Sequence, residues 1–497
     1  EALFNIHFPK NQELLARAQF RLKFEELFFI QLKLIRKNML HKQKIKGFNF
    51  DQIGNYFNDF YQEHLPFDLT GAQKRVIKEI RSDMGSGAQM NRLLQGDVGS
   101  GKTIVALMSM LIALDNNFQT CLMAPTEILS IQHYNGLKDL CKDLNINIYL
   151  LTGSTKTKKR REIHEKLENG EINILIGTHA LLEDKVKFKN LGLAVIDEQH
   201  RFGVAQRAKL WKKNHIPLHI LVMTATPIPR TLAMSLYGDL DISVIDELPP
   251  GRKPIKTVHR FDSNRLKVFA FLREEIQKGR QVYIVYPLIQ ESEKMDYKDL
   301  MDGYESIARE FPDFQISIVH GQMKPADKDY EMDRFVRGET QVMVATTVIE
   351  VGVNVPNASV MIIESAERFG LPQLHQLRGR VGRGAEQSFC ILMTGHKLSN
   401  DSKTRLETMT ATNDGFEIAE VDLKLRGPGD LMGTQQSGVL NLKIADIVKD
   451  NSILQSARHY ATKILKEDPN LSLEQNSMIK NAYARLVKNN TIWNYIS

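Results

Sequence analysis

The chain has 497 residues and a net charge of +7, with 42% hydrophobic and 25% charged residues, an ordinary composition for folded domains. This length suggests about three domains, and the positive charge favours a polyanionic partner. No apolar run approaches the ~18 residues of a membrane span. The three cysteines lack metal-ligand spacing and suit a reducing compartment. These features argue against a membrane-spanning helix, a cysteine-based metal site and a disulfide scaffold.

The spacing of apolar residues predicts that residues 1–65 are helical. The residues that recur at helical spacing are Leu15, Ala18, Leu22, Phe29 and Leu32. We interpret this stripe as a face that packs on a neighbouring domain. A basic run without acidic residues overlaps it and comprises Lys33, Arg36, Lys37, Lys42, Lys44 and Lys46. The run is either a solvated face or a contact with nucleic-acid phosphates, and both readings stay open. Because the chain opens at Glu1, without methionine and within this pattern, we expect a fragment of a longer protein.

Residues 66–248 alternate apolar strands with helices, which predicts a parallel sheet covered on both faces. Strands are predicted at 92–95, 120–123, 146–150, 172–176, 193–196 and 219–223. Between the first strand and an apolar helix at 104–114, the string G-D-V-G-S-G-K-T matches the phosphate-binding pattern G-x-x-x-x-G-K-[ST]. Its glycines allow backbone N–H groups to reach phosphates, and the helix N-terminus adds its dipole. The predicted triphosphate-binding residues are Gly96, Gly99, Ser100, Gly101, Lys102 and Thr103.

Within this loop, Lys102 is expected to neutralise the outer phosphates and the Thr103 hydroxyl to hold Mg²⁺. Asp197 and Glu198 directly follow the strand at 193–196, at the end of the sheet where ligands bind. We predict that Asp197 belongs to the Mg²⁺ shell and that Glu198 orients or deprotonates the attacking water. The alternative, a surface acidic pair, does not account for the apolar strand and the phosphate-binding loop.

Residues 247–251 predict a linker, and residues 252–396 repeat the alternation with strands at 281–286, 316–319, 341–345, 360–363 and 389–393. This half has no phosphate-binding loop, so the nucleotide site is predicted in the cleft between two similar domains. Gln376, Arg380 and Arg383 are expected to share one face of a helix that opens at Pro372 and to offer arginine to the transferred phosphoryl group. Gly379 and Gly382 are expected to allow close backbone approach to another surface. Residues 397–497 are predicted to be mostly helical.

Several motifs together resemble superfamily 2 helicases. F-D-L-T-G-A-Q at 67–73 is similar to their adenine-sensing Q motif, and later motifs follow in the family's order at 124–127, 177–179, 224–227 and 344–352. The resemblance implies two tandem RecA-like domains. It also implies that Gln73 reads adenine, that Gly352 lies by the nucleotide, and that residues of the DNA-binding and coupling set contact the nucleic acid or link hydrolysis to movement. That set comprises Thr126, Thr178, His200, Thr224 and Thr226.

From about residue 60 onward the chain resembles the RecG-type branch-migration helicases, through strings at 93–103, 197–207, 223–231 and 425–438. The resemblance implies an ATP- and Mg²⁺-dependent double-stranded DNA translocase that acts on branched DNA, regressing stalled forks and migrating Holliday junctions in recombination and repair. Arg426 and Gln436 would couple nucleotide state to duplex movement. Such proteins carry an N-terminal wedge domain, which we expect this chain to lack, with weakened junction recognition as the result. A bacterial cytoplasmic monomer is expected, with single-strand-binding protein as a candidate partner.

Other readings fit less well. A transcription-repair coupling translocase shares the motor, but Q-G-D-V-G-S-G-K-T and R-G-P-G-D favour the RecG type. Superfamily 2 RNA helicases lack the 426–438 stretch, and a GTPase would need an Asn-Lys-x-Asp motif, which does not occur. A scaffold that binds nucleic acid and ATP without turnover requires the catalytic groups to fail, although all are present. The basic run Lys156–Arg161 is left open between a DNA contact and a solvated helix start.

Overall fold

The structure is a computed structural model that describes residues 1–198, 216–226, 240–249, 251, 253–287, 293–347, 355–382, 384, 386–431, 442–447 and 449–489. It contains two parallel sheets with helices at both ends of the chain. This arrangement confirms the predicted fold class.

The N-terminal segment is helical. It consists of α1 (Ala2–His7), α2 (Gln12–Lys44) and α3 (Asn55–Asp59), and α3 continues into a turn of π-helix at Phe60–His64. With 33 residues, α2 is by far the longest of the three helices.

The first sheet has seven parallel strands in the order β3-β4-β2-β5-β6-β1-β7. The strands are β1 (Asn91–Gly96), β2 (Gln119–Met123), β3 (Ile148–Leu151), β4 (Ile174–Gly177), β5 (Leu191–Asp197), β6 (His219–Thr224) and β7 (Asp241–Ile245). The helices among them are α4 (Gly71–Met84), α5 (Lys102–Asp115), α6 (Glu127–Leu140) and α7 (Thr157–Asn169), with a 3₁₀ turn at His179–Leu182. Because successive strand residues point to opposite faces, Leu93 and Leu94 enter two separate cores.

The second sheet has six parallel strands in the order β10-β11-β9-β12-β13-β8. The strands are β8 (Lys256–Phe261), β9 (Gln281–Val285), β10 (Ile316–Val319), β11 (Val342–Ala345), β12 (Ala358–Ile363) and β13 (Phe389–Thr394). The helices of this half are α8 (Arg265–Gln277), α9 (Glu293–Glu310), α10 (Pro325–Val336) and α11 (Leu371–Arg378), with 3₁₀ turns at Asp262–Asn264 and Ala366–Arg368.

The C-terminal region is helical, as predicted. It contains α12 (Asn400–Ala411), α13 (Gly415–Leu431), α14 (Asn451–Glu467) and α15 (Ser477–Asn489), with a 3₁₀ turn at Glu474–Asn476. Helix α14 packs along α2 in a shared apolar cluster that includes Leu32 and Ala457, both 0% exposed. The predicted packing is thus confirmed for Phe29 and Leu32 of the N-terminal stripe, and their partner is the C-terminal end of the same chain.

Each strand predicted from the sequence is present, with bounds that differ by at most two residues at either end. Two strands were not predicted, β7 and β8, which lie at the edges of their sheets. Both contain several polar residues and are only partly buried, because an edge strand is covered less completely than a central one. Because of these polar residues and the adjacent linker, the apolar pattern of the sequence did not mark β7 and β8 as strands.

Candidate active site

The phosphate-binding loop connects β1 to α5. Gly99 and Gly101 have φ values of 77° and 87°, in the left-handed region that favours glycine. A side chain at Gly101 would also collide with the Gln73 amide. The loop therefore depends on its glycines for both backbone conformation and space. It ends at the N-terminus of a 14-residue helix, where backbone N–H groups and the helix dipole favour an anion.

Lys102 and Ser100 line this loop. The Lys102 ammonium donates to the carbonyl oxygens of Gly96 and Asp97 at 2.8 and 2.9 Å, which holds it over the loop. The Ser100 hydroxyl is buried and has no hydrogen-bond partner within the part of the chain that the structure describes. Buried hydroxyls are rarely left without a partner, so an oxygen-rich ligand in the loop would fit this environment.

Gln73, the last residue of the F-D-L-T-G-A-Q string, is fully buried beside the loop. Its amide nitrogen donates to the Ser100 carbonyl at 2.8 Å, and its amide oxygen accepts the Thr70 N–H at 2.9 Å. Thr70 and Gln73 also form a capping box at the start of α4. A side-chain amide has a second N–H and a second lone pair, so these bonds leave the group chemically able to contact a base as well.

The acidic pair lies at the end of β5. Asp197 is buried, and one of its carboxylate oxygens accepts a hydrogen bond from His133 Nε2 at 2.8 Å. Burial alone would raise the pKa of Asp197, but the His133 hydrogen bond and the nearby Lys102 ammonium hold that pKa below its usual value. Asp197 therefore stays ionised. His133, which projects from α6, was missed by the sequence analysis because nothing local marks its partner.

Glu198 has a different environment. Its φ of 55° lies in the left-handed region, which is uncommon for a residue with a side chain. Burial and the adjacent Asp197 charge raise the pKa of Glu198, against the opposing effects of Lys102, Arg380 and the Ala225 N–H. The two neighbouring carboxyls thus have pKa values displaced in opposite directions, which is the pattern of two groups with different chemical roles.

Arg380 comes from the second half of the chain and is buried close enough to act on the pKa of Glu198. Our prediction that Arg380 shares a helix face with Gln376 was wrong, because α11 ends at Arg378 and Arg380 lies in the following turn. The helix stops before Gly382, whose φ of 78° is incompatible with a helix. The turn, and not a helix face, carries the arginine to the acidic pair.

Gln376 and Gly379 contact the first half of the chain directly. The Gln376 amide donates to the Thr226 hydroxyl at 2.6 Å. A Cβ at Gly379 would lie 2.9 Å from the Cβ of Val98 in the phosphate-binding loop. The expected close approach at Gly379 is thus confirmed, and the two halves meet at the loop.

Thr103 and Asp197 are the residues that could hold Mg²⁺. A hydroxyl and an ionised carboxylate are hard oxygen donors, and Mg²⁺ usually takes one or two protein ligands and fills its remaining positions with water and phosphate oxygens. The low pKa of Asp197 keeps its oxygens available as ligands. The residues present therefore fit the ion.

The predicted nucleic-acid contacts follow three strands of one sheet edge. Thr126 comes after β2, Thr178 after β4, and Thr224 closes β6. The Thr126 hydroxyl accepts the Leu129 N–H at 3.3 Å as the cap of α6, and the Thr224 hydroxyl accepts the Thr226 N–H at 3.2 Å. The carboxyl ends of parallel strands share an edge, which brings these threonines to the same side as the loop.

Arg426 lies on α13, where its Nε donates to Asp422 at 3.0 Å, and its guanidinium packs against Gly370 just before α11. It therefore joins α13 to the helix that carries Gln376. Four other predicted site residues lie outside the described residues: His200, Gly352, Arg383 and Gln436.

The two basic runs are partly engaged within the protein. Arg160, near the start of α7, donates to Glu183 at 3.1 Å and to the Thr152 carbonyl at 2.8 Å. Arg36 on α2 lies 5.3 Å from the ring centre of Tyr483, at cation–π distance. These two arginines have structural partners, while the lysines Lys158 and Lys159 are exposed.

Three protein families match consecutive parts of the chain. The DEAD/DEAH box helicase family matches residues 70–235, and the helicase conserved C-terminal domain matches residues 266–385. The family described as ATP-dependent DNA helicase RecG, domain 3, C-terminal, matches residues 412–497.

Curated relatives extend the match along the chain. It is 51% identical to the ATP-dependent DNA helicase RecG of Synechocystis over 480 residues, which is 96% of this chain. It is 47% identical to the Bacillus subtilis RecG, covering 94% of this chain and 68% of that protein. The chain belongs to the RecG family of ATP-dependent DNA helicases. It spans 57% of the Synechocystis relative and 60% of the Aquifex aeolicus RecG.

Solved structures agree with this family. A RecG bound to a three-way DNA junction matches with a TM-score of 0.72 and 43% identity, covering 91% of this chain and 59% of that one. The Saccharomyces cerevisiae Dbp5 bound to RNA and ADP BeF3 matches with a TM-score of 0.54 at 15% identity, which shows a shared fold. No helix among the described residues has the length and apolar character of a membrane span.

Proposed function

We propose that this chain is the ATP-driven motor of a double-stranded DNA translocase that acts on branched DNA, regressing stalled forks and migrating Holliday junctions in recombination and repair. The observation that carries the proposal is the meeting of the two halves at the phosphate-binding loop, where the Gln376 amide donates to the Thr226 hydroxyl and Gly379 packs on Val98. The Arg380 charge from the second half also lowers the pKa of Glu198 in the first. The branched substrate is supported by the related RecG structure, which is bound to a three-way DNA junction.

The ATP site is assigned from both halves. Lys102, with Gly96, Gly99, Ser100 and Gly101, holds the phosphates, and Gln73 contacts the adenine. Thr103 and Asp197 would hold Mg²⁺, which would offset charge on the phosphates. Glu198 accepts a proton from the attacking water, because its raised pKa makes it a stronger base. Arg380, together with Arg383, stabilises the negative charge that develops on the transferred phosphoryl group. Gly352 completes the site across the cleft.

DNA contact is assigned to the threonines at the carboxyl ends of the strands of the first sheet. Thr126 and Thr178 contact the backbone, and His200 and Thr224 belong to the same coupling set. The Gln376–Thr226 hydrogen bond joins the halves and gives hydrolysis a route to relative movement. Arg426 and Gln436 extend this route into the C-terminal region. The protein is assigned as a cytoplasmic monomer, and single-strand-binding protein is a proposed partner.

The test is the steady-state rate of ATP hydrolysis without DNA and with single strands, plain duplex or a forked junction, each at two salt concentrations. We expect strong stimulation by duplex and fork that falls as salt rises, because DNA binding by phosphate contacts releases counterions. Lys102→Ala serves as the inactive control and shows that the measured hydrolysis belongs to this chain.

The remaining outcomes contradict specific parts of the proposal. A fork that stimulates no more than duplex would leave the chain a duplex translocase without selectivity for branched DNA. A rate of ATP hydrolysis that none of the DNAs changes would contradict the proposal that the chain is a DNA translocase. Binding of ATP and DNA without turnover would make the chain a scaffold.

A further inference from the structure

Asp97 is a residue of the phosphate-binding loop whose side chain is held from the other half of the chain. One carboxylate oxygen pairs with His375 Nε2 on α11, and the other accepts the Gly415 N–H at 3.3 Å. Burial by itself would raise the pKa of Asp97, but the hydrogen bonds from His375 and Gly415 and the nearby Lys102 ammonium hold that pKa below its usual value. The partner of His375 is therefore a carboxylate.

The other side of the His375 ring fixes its orientation. Arg378 Nη2 lies 3.0 Å from His375 Nδ1. A guanidinium donates hydrogen bonds and cannot accept them, so Nδ1 is the acceptor in this pair. The ring proton is then on Nε2, where it is donated to Asp97. The imidazole is thus aimed at the loop by its own neighbour on α11.

Arg378 is itself immobilised. It is 2% exposed and donates to the carbonyl oxygens of Met409 and Thr412, each at 2.9 Å. These carbonyls lie at the C-terminal end of α12, where the helix dipole favours a cation. Consecutive hydrogen bonds through Asp97, His375 and Arg378 therefore connect the phosphate-binding loop to the C-terminal helices.

A displacement of Asp97 would also be felt by Lys102, because the Asp97 carbonyl oxygen accepts the Lys102 ammonium at 2.9 Å. The loop next to it is in tight contact with α11, since Val98 leaves no room for a side chain at Gly379. The position of α11 is thus transmitted to the loop by one hydrogen bond and one packing contact.

We propose that His375 is a positioning residue that sets the phosphate-binding loop for ATP through Asp97. The affinity of the loop for nucleotide then depends on how α11 is seated against the first half of the chain. His375 acts on binding, while the chemistry is left to Glu198 and Arg380. This inference rests on the proposed ATP turnover. It adds His375 to the ATP site, although His375 lies outside the sequence strings that carry the family resemblance.

The experiment is a double-mutant cycle with His375→Ala, Asp97→Ala and the double variant, in which KM and kcat for ATP are measured. His375→Ala should raise KM about tenfold, the factor expected when one charge-assisted hydrogen bond is lost. Asp97→Ala also loses the Gly415 hydrogen bond and should raise KM at least as much. The double variant should match Asp97→Ala alone, and not show the further ~10-fold of an independent loss. His375→Gln keeps a donor near the Nε2 position and should recover most of the affinity, which a general loss of packing would not allow.

His459→Gln is the matched control, because His459 is exposed on α14. An unchanged KM in His375→Ala, a multiplicative double variant, or a fall in kcat alone would each overturn the proposal. Titration with a fluorescent ATP analogue measures binding without turnover. It therefore tests the loop contact even where wild-type protein hydrolyses no ATP, an outcome that would count against the proposed function alone.

Discussion

Glu198 carries two features that cost the folded protein stability. Its φ of 55° is a left-handed backbone conformation, which costs about 1–3 kcal/mol for a residue with a side chain. Its carboxyl is also partly buried next to Asp197, and both the burial and the Asp197 charge raise its pKa. Strain of this kind persists where the surrounding structure holds one side-chain position, and a raised pKa strengthens a proton acceptor. A general base for the attacking water accounts for both features.

Replacement of this base tests the assignment. In Glu198→Gln the side-chain volume is kept and the proton acceptor is lost, so kcat for ATP hydrolysis should fall by about 100-fold or more. Affinity for a fluorescent ATP analogue should persist, because Lys102 and the loop glycines are unchanged. Glu165→Gln, on the exposed side of α7, is the control. Turnover in Glu198→Gln within twofold of wild type would show that another group is the base.

The same carboxyl sets the direction of the pH profile. Only the ionised form accepts a proton, so turnover should rise with pH through the pKa of Glu198 and be lost as pH falls through it. Because that pKa is raised, the loss should begin above the ordinary glutamate value of 4.5. Turnover that stays constant from neutrality down to that value would contradict the raised pKa.

At the scale of elements, α11 and the turn after it decide how the two halves of the chain meet. The helix presents Gln376 to Thr226, and its end places Gly379 against Val98 of the phosphate-binding loop. The turn then places Arg380 where its charge lowers the pKa of Glu198. A small shift of this one element would therefore change the Gln376–Thr226 contact, the loop and the charge that acts on Glu198 together.

Gly379→Ala tests this approach. The new Cβ would lie 2.9 Å from the Cβ of Val98, so α11 or the loop has to move. Overpacking of about 1–3 kcal/mol predicts a fall of roughly five- to 150-fold in kcat/KM for ATP. Gly395→Ala is the matched control, because a Cβ there would meet nothing within 4 Å. Equal kcat/KM values in the two variants would show that the close approach does not matter.

The elements differ in how much of their structure the sequence could predict. Strands such as β5 are continuous apolar runs because both of their faces are buried, so composition alone revealed them. The edge strands β7 and β8 carry polar residues and were missed. The end of α11 was misjudged because helical spacing continues through Gly379 and Gly382. The Asp97–His375 and His133–Asp197 pairs join residues 278 and 64 positions apart, and a single sequence contains no local signal for such contacts.

At the scale of the whole molecule, α13 contacts three separate parts of the protein. Its first residue, Gly415, donates to Asp97 of the phosphate-binding loop. Ile418 lies in the core of the second sheet, and Leu423 lies in the apolar cluster that α2 forms with α14. Through α13, the phosphate-binding loop and the terminal helices are therefore joined by a continuous path of contacts along which a movement of the loop would be transmitted.

The terminal helices are themselves joined by polar contacts between the two ends of the chain. The Glu26 carboxylate on α2 accepts the N–H groups of Lys443, Ile444 and Ala445 at 2.6, 3.1 and 2.9 Å. Lys23 donates to Asp450 at 2.8 Å, just before α14. The N- and C-terminal helices should therefore open as one unit, although more than 400 residues separate these partners.

Leu32→Ala tests this cooperativity. Leu32 is fully buried between α2 and α14, and its truncation should cost about 2–5 kcal/mol. Amide hydrogen exchange should then accelerate by about 30-fold or more in α2 and α14 together, while the strands of the first sheet keep their protection. Leu40→Ala, at a position on α2 that is 37% exposed, should leave exchange unchanged. Faster exchange confined to α2 would show that the two termini open separately, and α13 would then lose its role as the link between the loop and a single terminal unit.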